Sequence, residues 1–80
     1  MDSHSYITAL GDAFKARREK LALTHETVAE RADINVNYYA RIERGEINTS
    51  VRKLVLIAMA LETDVSKLTA SAESRLKNRT

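Results

Sequence analysis

The sequence has no cysteine, no proline, only two glycines and few aromatic residues, namely three tyrosines and one phenylalanine. Without cysteine the chain can form neither a disulfide nor a thiolate metal site. The longest apolar run, residues 54–61, is much too short to span a bilayer, and no secretory signal is visible. We therefore expect a cytoplasmic protein with no metal, cofactor, small-molecule ligand or membrane contact.

Alanine, leucine, lysine, arginine and glutamate dominate the 80 residues, and this composition favours an all-α protein. The length predicts one domain, residues 1–80, near the lower limit for a self-sufficient core. The formal net charge is only +2, so total charge is weak evidence for a nucleic-acid partner.

The spacing of apolar residues predicts five helices, over about residues 6–21, 25–32, 36–44, 51–61 and 65–77. Residues 1–5 and 78–80 are expected to be frayed, which leaves a core over 6–77. The predicted N-caps are Thr24, Asn35, either Thr49 or Ser50, and Asp64, because their side chains can accept from free backbone amides.

Helices two and three are predicted to be joined by a tight turn within residues 24–45. Asp33 lies in this turn, and aspartate tolerates the left-handed conformation better than most residues. Gly45 is expected to end helix three in that conformation.

Helix one carries two unusual residues on its apolar side, whose stripe is Ile7, Leu10, Phe14 and Leu21. Arg18 falls inside this stripe, and a charged residue on a core face usually has a buried partner. Gly11 lies on the same side. Since glycine costs about 1 kcal/mol in a helix, we expect another helix to approach closely there.

Helix three has two contrasting faces when its residues are placed at about 100° intervals. The inner face carries Tyr39, Ile42 and Glu43, with Val36 at its edge. The outer face carries Asn37, Arg41 and Arg44, flanked by Ala40 and Tyr38. Arginine can bond guanine and asparagine can bond adenine in the major groove of DNA. The alternative reading is an ordinary surface helix with solvated charges.

The segment LALTHETVAERADINVNYYARIERGEINTSVRKLVLIAMAL resembles the Cro/C1-type helix-turn-helix domain of phage repressors, also called the XRE family. With the flanking segments LGDAFKARREK and DVSKL, the resemblance covers roughly residues 7–68. Ala29 occupies the small-residue position of helix two, where helix three packs closely. The resemblance implies a compact five-helix, lambda-repressor-like fold. Among proteins of this length, the chain looks most like the controller proteins of restriction-modification systems.

The resemblance also implies roles for individual residues. The family commonly pairs an arginine of helix one with the glutamate that closes helix three, here Arg18 and Glu43, which the helical wheels independently place on core faces. The implied base-reading residues are Val36, Asn37, Tyr38 and Arg41. The implied phosphate contacts are Thr24, His25, Arg44 and Asn48.

The sequence departs from the family at several positions. Glycine is common at the positions of Ala22, Asp33 and Glu62, and proline at that of Thr49. We expect Ala22 and Glu62 either to alter the helix ends or to cost about 1 kcal/mol each if left-handed. His25 stands where glutamine is common, which puts its phosphate contact in doubt.

Helix four is apolar around much of its circumference, which is typical of a central helix or one covered by a partner. Its expected inward stripe is Val51, Leu54, Ile57, Ala58 and Leu61. The predicted dimer contact consists of Val55, Leu56 and Met59 of helix four with Val65, Leu68 and Leu76 of helix five. The alternative is that helix five folds back over the monomer core.

These features predict a sequence-specific transcription regulator that binds a two-fold symmetric double-stranded DNA operator as a homodimer. RNA polymerase is a further candidate partner. The alternative function is a protein-binding module on the same fold, such as an antitoxin, although only about a dozen residues follow Leu68. We expect no enzymatic activity, because no catalytic constellation is visible.

Overall fold

The computed structural model describes residues 2–78, and within that range it contains five α-helices and no strand. They are α1 (Ser3–Lys20), α2 (His25–Ala32), α3 (Val36–Glu43), α4 (Val51–Ala60) and α5 (Val65–Lys77). The predicted all-α, five-helix fold is therefore confirmed. Of the ends expected to be frayed, residues 1, 79 and 80 lie outside the described range. No helix of residues 2–78 is long and apolar enough to cross a membrane.

The first helix begins three residues before the predicted start at Tyr6. Asp2 is its N-cap, and the Asp2 Oδ1 atom accepts a hydrogen bond of 2.7 Å from the backbone N–H of Ser5. This bond satisfies an amide that would otherwise be free at the helix start. The apolar pattern could not show this extra turn, because residues 2–5 are all polar.

The other four helices begin at side-chain caps, and these caps are Thr24, Asn35, Ser50 and Asp64. Of the two candidates for α4, the structure uses Ser50, whose Oγ atom accepts from the Lys53 N–H. The Thr49 hydroxyl is buried and has no hydrogen-bond partner within residues 2–78.

Each of the first four helices ends in the same way, at a residue with a left-handed backbone. Those residues are Ala22, Asp33, Gly45 and Glu62, with φ values of 57°, 56°, 73° and 56°. In each case the next residue donates its backbone N–H to a carbonyl of the last helical turn, as Ile34 does to Ala29 at 3.0 Å. Ala22 and Glu62 thus keep the left-handed geometry that glycine would adopt without steric cost.

The hydrophobic core lies where α1, α2, α3 and α4 meet. Its largest fully buried side chains are Tyr39, Phe14, Ile57, Leu61 and Val28. Helix α1 packs along α5 and α3, while α2 packs against α3 and α4. The result is that α3 has its inner face fixed by two neighbouring helices and its outer face free.

Two arginines connect α1 and α2 to the end of α4. Arg17 donates to the carbonyls of Leu61 and Glu62 at 2.9 Å each, and Arg31 donates to the carbonyl of Ala60 at 3.3 Å. The last carbonyls of a helix lack partners within the helix and carry partial negative charge. These cations therefore stabilise the C-terminal end of α4.

Gly11 of α1 marks the close helix approach that the sequence predicted. A Cβ atom at this position would lie 2.8 Å from the carbonyl oxygen of Ile42. The C-terminal turn of α3 therefore rests directly on the backbone of α1. This contact fixes the distance between α1 and α3.

Helix five folds back over the monomer core, which is the alternative that the sequence analysis left open. Leu68 and Leu76 are buried within the monomer. Leu76 forms a small core with Ala9 and Ala72, because α5 packs along α1. Val65, the third predicted dimer residue on α5, is half-buried and packs against the main core.

Helix four also departs in part from its predicted faces. Val51 was expected to point inward but is 76% exposed, and it forms an outer stripe with Val55 (41% exposed) and Met59 (68% exposed). Residues spaced by four lie on the same side of a helix, which explains this grouping. Leu56 is half-buried and packs against the core. We call Val51, Val55 and Met59 the α4 apolar stripe.

Candidate nucleic-acid interface

The outer face of α3 presents the polar side chains that the wheel predicted. Asn37, Arg41 and Arg44 are exposed, whereas Tyr39 and Ile42 are buried. Asn35 caps this helix by accepting from the N–H groups of residues 37 and 38 at 2.8 and 3.1 Å. Helix α3 and its C-cap residue Arg44 thus project an amide and two guanidinium groups from a short, firmly packed segment.

A buried ion pair holds the inner side of α3 against α1. The carboxylate of Glu43 accepts from Arg18 Nε at 2.7 Å and from Arg18 Nη2 at 3.1 Å. Burial alone would raise the pKa of Glu43, but the two hydrogen bonds from Arg18 lower it below its usual range. The structure therefore brings Arg18 and Glu43 together as a charged pair.

Tyr39 lies beside this pair in the core. Burial raises the pKa of Tyr39 far above its usual range, and the neighbouring Glu43 carboxylate raises it further. The phenol consequently stays neutral and does not add a second negative charge next to Glu43. Its ring lies 6.0 Å, centroid to centroid, from the ring of His25.

His25, the first residue of α2, is turned toward the same carboxylate. Its Nε2 atom lies 3.1 Å from Glu43 Oε1. An ionised carboxylate only accepts hydrogen bonds, so Nε2 is the donor. The sequence predicted a phosphate contact for His25 but did not predict this internal one. Its other ring nitrogen, Nδ1, is not used in the bond to Glu43.

Thr24 and Asn48 lie at the two ends of the helix-turn-helix segment. The Thr24 hydroxyl accepts from the Thr27 N–H at 3.1 Å, so it acts as the cap of α2. Asn48 is exposed in the loop between α3 and α4. Neither position is covered by another part of residues 2–78.

The two remaining predicted base-reading residues, Val36 and Tyr38, are half-buried and pack partly against the core. The ammonium group of Lys53 lies over the ring of Tyr38, 4.3 Å from the ring centroid. This geometry is that of a cation–π contact. Lys53 thus links the start of α4 to α3, a contact that no pattern within α3 could reveal.

An open groove runs between α1, the start of α2 and α3. It is lined by Asp12, Lys15, Arg18, His25, Ala40, Glu43 and Arg44. The groove brings the predicted phosphate residues His25 and Arg44 together with Lys15, which sequence reasoning missed. Because Lys15 is an exposed lysine on α1, only the packing of α1 against α3 could place it here.

Glu46 is a second residue that the sequence analysis missed. Its carboxylate contacts Nε of both Arg41 and Arg44, at 3.5 Å for Arg41. The hydrogen bond from Arg44 lowers the pKa of Glu46 below its usual range, so this carboxylate is ionised at neutral pH. The guanidinium groups of Arg41 and Arg44 therefore share one counter-ion.

Within residues 2–78, no group of three or more potential metal ligands is placed to bind an ion.

Comparison with known proteins shows which family this chain belongs to. The sequence profile of the family described as "Helix-turn-helix" matches residues 14–68, which is more than half of the chain and contains the whole α2–α3 segment. The chain belongs to this family. As a helix-turn-helix protein of the Cro/C1 type, it is a DNA-binding regulator related to the controller proteins of restriction-modification systems.

Individual relatives support this assignment. The helix-turn-helix chain is 36% identical over 59 residues to the control protein C.MunI from Mycoplasma sp., a match that covers 74% of this chain and 80% of the relative. The restriction-modification controller protein C.AhdI from Aeromonas hydrophila is 26% identical, with a TM-score of 0.76 over 78% of this chain and 94% of the other. The clp gene regulator ClgR from Corynebacterium glutamicum is also 26% identical, with a TM-score of 0.83 over 88% and 91% of the two chains.

Proposed function

We propose that this protein is a sequence-specific transcription regulator that binds a two-fold symmetric operator as a homodimer, and that it controls a restriction-modification system. The observation that carries the proposal is the exposed amide–guanidinium face of α3, braced from behind by the Arg18–Glu43 pair. A braced helix of this kind suits the major groove, which admits a single α-helix. The relation to C.MunI and C.AhdI supports the narrower assignment.

Base reading is assigned to Val36, Asn37, Tyr38 and Arg41. Arg41 is exposed and can bond guanine through two nitrogens, while Asn37 can bond adenine. Val36 and Tyr38 are half-buried, so they offer mainly apolar contact, for example to a thymine methyl group. We therefore expect Arg41 to contribute most to discrimination between bases.

Phosphate contacts are assigned to Thr24, His25, Arg44 and Asn48, which surround α3 at the start of α2 and in the loop after α3. The free amides at the start of α2 favour an anion there on physical grounds. His25 already donates Nε2–H to Glu43. It can therefore donate to a phosphate through Nδ1 only in its doubly protonated form.

The dimer surface is assigned to the α4 apolar stripe. Val51, Val55 and Met59 are the large hydrophobic residues that the described structure leaves exposed. They lie on one helix, and a connected apolar patch on a small domain commonly marks an interaction site. Two copies would place two recognition helices on half-sites about one helical turn of DNA apart, roughly 34 Å.

The setting of the protein follows from this role. We propose that it acts in the cytoplasm on double-stranded DNA, as a binding protein without enzymatic activity. RNA polymerase is a further candidate partner, because a regulator bound beside a promoter can contact it. The membership in a family of DNA-binding regulators supports this setting.

The experiment that tests the function is selection of bound duplexes from a random DNA pool, followed by affinity measurements at several salt concentrations. We expect a two-fold symmetric motif. Arg41→Ala should weaken discrimination at particular base pairs by about 1–3 kcal/mol. Lys67→Ala is the matched control, since it removes one positive charge from an exposed position on α5, away from α3.

Two other results would contradict the proposal in different ways. Weak, sequence-independent binding with a steep salt dependence would mean that α3 contacts only phosphates. Absence of binding at low salt would favour the protein-partner alternative, an antitoxin-like module.

A further inference from the structure

The loop that follows α3 places a carboxylate next to the arginine assigned to base reading. Gly45 has a φ of +73°, which turns the chain back over the last turn of α3. The next backbone N–H, that of Glu46, donates to the carbonyl of Arg41 at 3.0 Å. The position of Glu46 relative to Arg41 is therefore set by the end of the helix and not by chance contact of two long side chains.

Gly45 itself is held against α1. A Cβ atom at this position would lie 2.9 Å from the Cα atom of Thr8. The turn that carries Glu46 thus rests on the first helix and has little room to move. A carboxylate that extends from this fixed backbone can orient a neighbouring guanidinium group.

The carboxylate is not placed to stabilise the helix. The C-terminal end of a helix carries partial negative charge, so an acidic side chain there is unfavourable. Glu46 gains its favourable contacts from Arg41 and Arg44. Its placement is therefore explained by these two arginines.

Glu46 contacts both arginines at Nε. Its carboxylate lies 3.5 Å from Arg41 Nε and also contacts Arg44 Nε. A guanidinium group that is bound at Nε still has its end edge, formed by Nη1 and Nη2, available to bind another acceptor. This edge can form the two parallel hydrogen bonds that guanine O6 and N7 accept.

We propose that Glu46 is a positioning residue that holds Arg41 for base recognition and withholds it from phosphates. This proposal rests on the proposed function. In a specific complex Arg41 keeps its contact with Glu46 while its end edge binds guanine. On non-specific DNA, the ionised Glu46 carboxylate repels a phosphate that approaches Arg41. Glu46 therefore increases the ratio of specific to non-specific affinity.

The test compares Glu46→Gln with Glu19→Gln, which removes the same charge from an exposed position near the end of α1. Each variant is titrated with the selected operator, with the operator changed at the Arg41-dependent base pair, and with a random-sequence duplex. For Glu46→Gln we expect base preference at that pair to fall about fivefold or more. Affinity for the random duplex should rise about two- to fivefold, because an exposed ion pair no longer competes with phosphate. Glu19→Gln should leave the base preference unchanged.

A second pair of variants separates positioning from a general structural effect. In an Arg41→Ala background, Glu46→Gln should cause no further loss of base preference, because the residue it positions is absent. Retained base preference in Glu46→Gln, or a loss that persists in the Arg41→Ala background, would overturn the proposal. A wild-type protein without any base preference would instead overturn the proposed function and this inference together. Circular dichroism melting of each variant checks that the fold is intact.

Discussion

Arg18 of α1 and Glu43 of α3 form a two-point hydrogen-bonded pair at 2.7 and 3.1 Å, with side chains only 11% and 4% exposed. Arg18 also donates from Nη1 to the carbonyl of Leu23, just before α2, at 3.0 Å. One side chain thus connects α1, the approach to α2 and α3. The orientation of α3 depends on this connection.

Removal of Arg18 should strongly destabilise the protein. We expect Arg18→Met to lower the free energy of unfolding by about 3–5 kcal/mol, because it leaves the Glu43 carboxylate buried without its cation. The bond from His25 to Glu43 should keep the loss from exceeding that range. Urea denaturation followed by circular dichroism measures the change.

The matched control replaces both partners with apolar residues. The double variant Arg18→Met with Glu43→Leu should recover most of the lost stability, since apolar replacement of a buried pair is often neutral or stabilising. A double variant as unstable as Arg18→Met alone would show that the loss comes from packing around Arg18 and not from the unpaired carboxylate.

The same pair predicts how stability depends on pH. Burial acts to raise the pKa of Glu43, yet the bonds from Arg18 lower it below its usual value of 4.5. A carboxylate with a lower pKa in the folded state contributes stability above its unfolded pKa, and this contribution is lost as the pH falls through the folded pKa. The free energy of unfolding of the wild type should therefore fall below about pH 4.5.

The comparison for this prediction is Glu43→Gln, which cannot titrate at that position. Its unfolding free energy, measured over the same pH range, should fall less steeply in acid than that of the wild type. Parallel curves for the two proteins would show that Glu43 does not contribute to acid unfolding.

Most of the local structure could be predicted from the sequence, because helix faces and caps depend on neighbouring residues. The wheel of α3 placed Glu43 inside and Arg41 outside, and the structure has them there. The wheels also placed Arg18 and Glu43 each on a core face, where a charge needs a partner. The pairing of these two residues came from the family resemblance.

The contacts between helices that are distant in the sequence could not be predicted from helical wheels and caps. A wheel shows that one side of α5 is apolar, but it does not show that the rest of the monomer buries Leu68 and Leu76. Glu46 was missed because it follows the helix, where the wheel no longer applies. The exposure of Val51 could not be predicted for the same reason. A wheel shows which residues of α4 form an apolar stripe, but only the packing of the other helices decides which of these residues become buried.

The close contact at Gly11 predicts a destabilising substitution. Gly11→Ala places a Cβ atom 2.8 Å from the Ile42 carbonyl oxygen, so α1 and α3 must move apart. Alanine favours a helix by about 1 kcal/mol over glycine, but overpacking typically costs about 1–3 kcal/mol. We expect a net loss of stability in thermal unfolding. Glu19→Ala, at an exposed position of the same helix, should change stability little. An increase in stability for Gly11→Ala would contradict the close approach.

The left-handed backbone at Ala22 predicts a stabilising substitution. Its φ of 57° costs a residue with a Cβ atom about 1–2 kcal/mol, whereas glycine adopts it freely. Ala22→Gly should therefore raise the free energy of unfolding, by up to about 1 kcal/mol after the entropy cost of glycine. The control is the same substitution at Ala70, an exposed position inside α5, where it should lower stability by about 1 kcal/mol. Effects of the same sign at both positions would contradict the left-handed assignment.

The α4 apolar stripe predicts how dimerisation can be disrupted without loss of the fold. Met59 is 68% exposed, so Met59→Lys should leave the monomer folded while placing a charge in the proposed dimer contact. Analytical ultracentrifugation should show a dimer for the wild type at about tens of micromolar, and a dimer dissociation constant raised at least about tenfold for Met59→Lys. Ser74→Lys adds the same charge at an exposed position on α5 and should leave the dimer intact. A monomeric wild type at that concentration, or equal dimerisation of both variants, would show that the stripe is not the dimer contact.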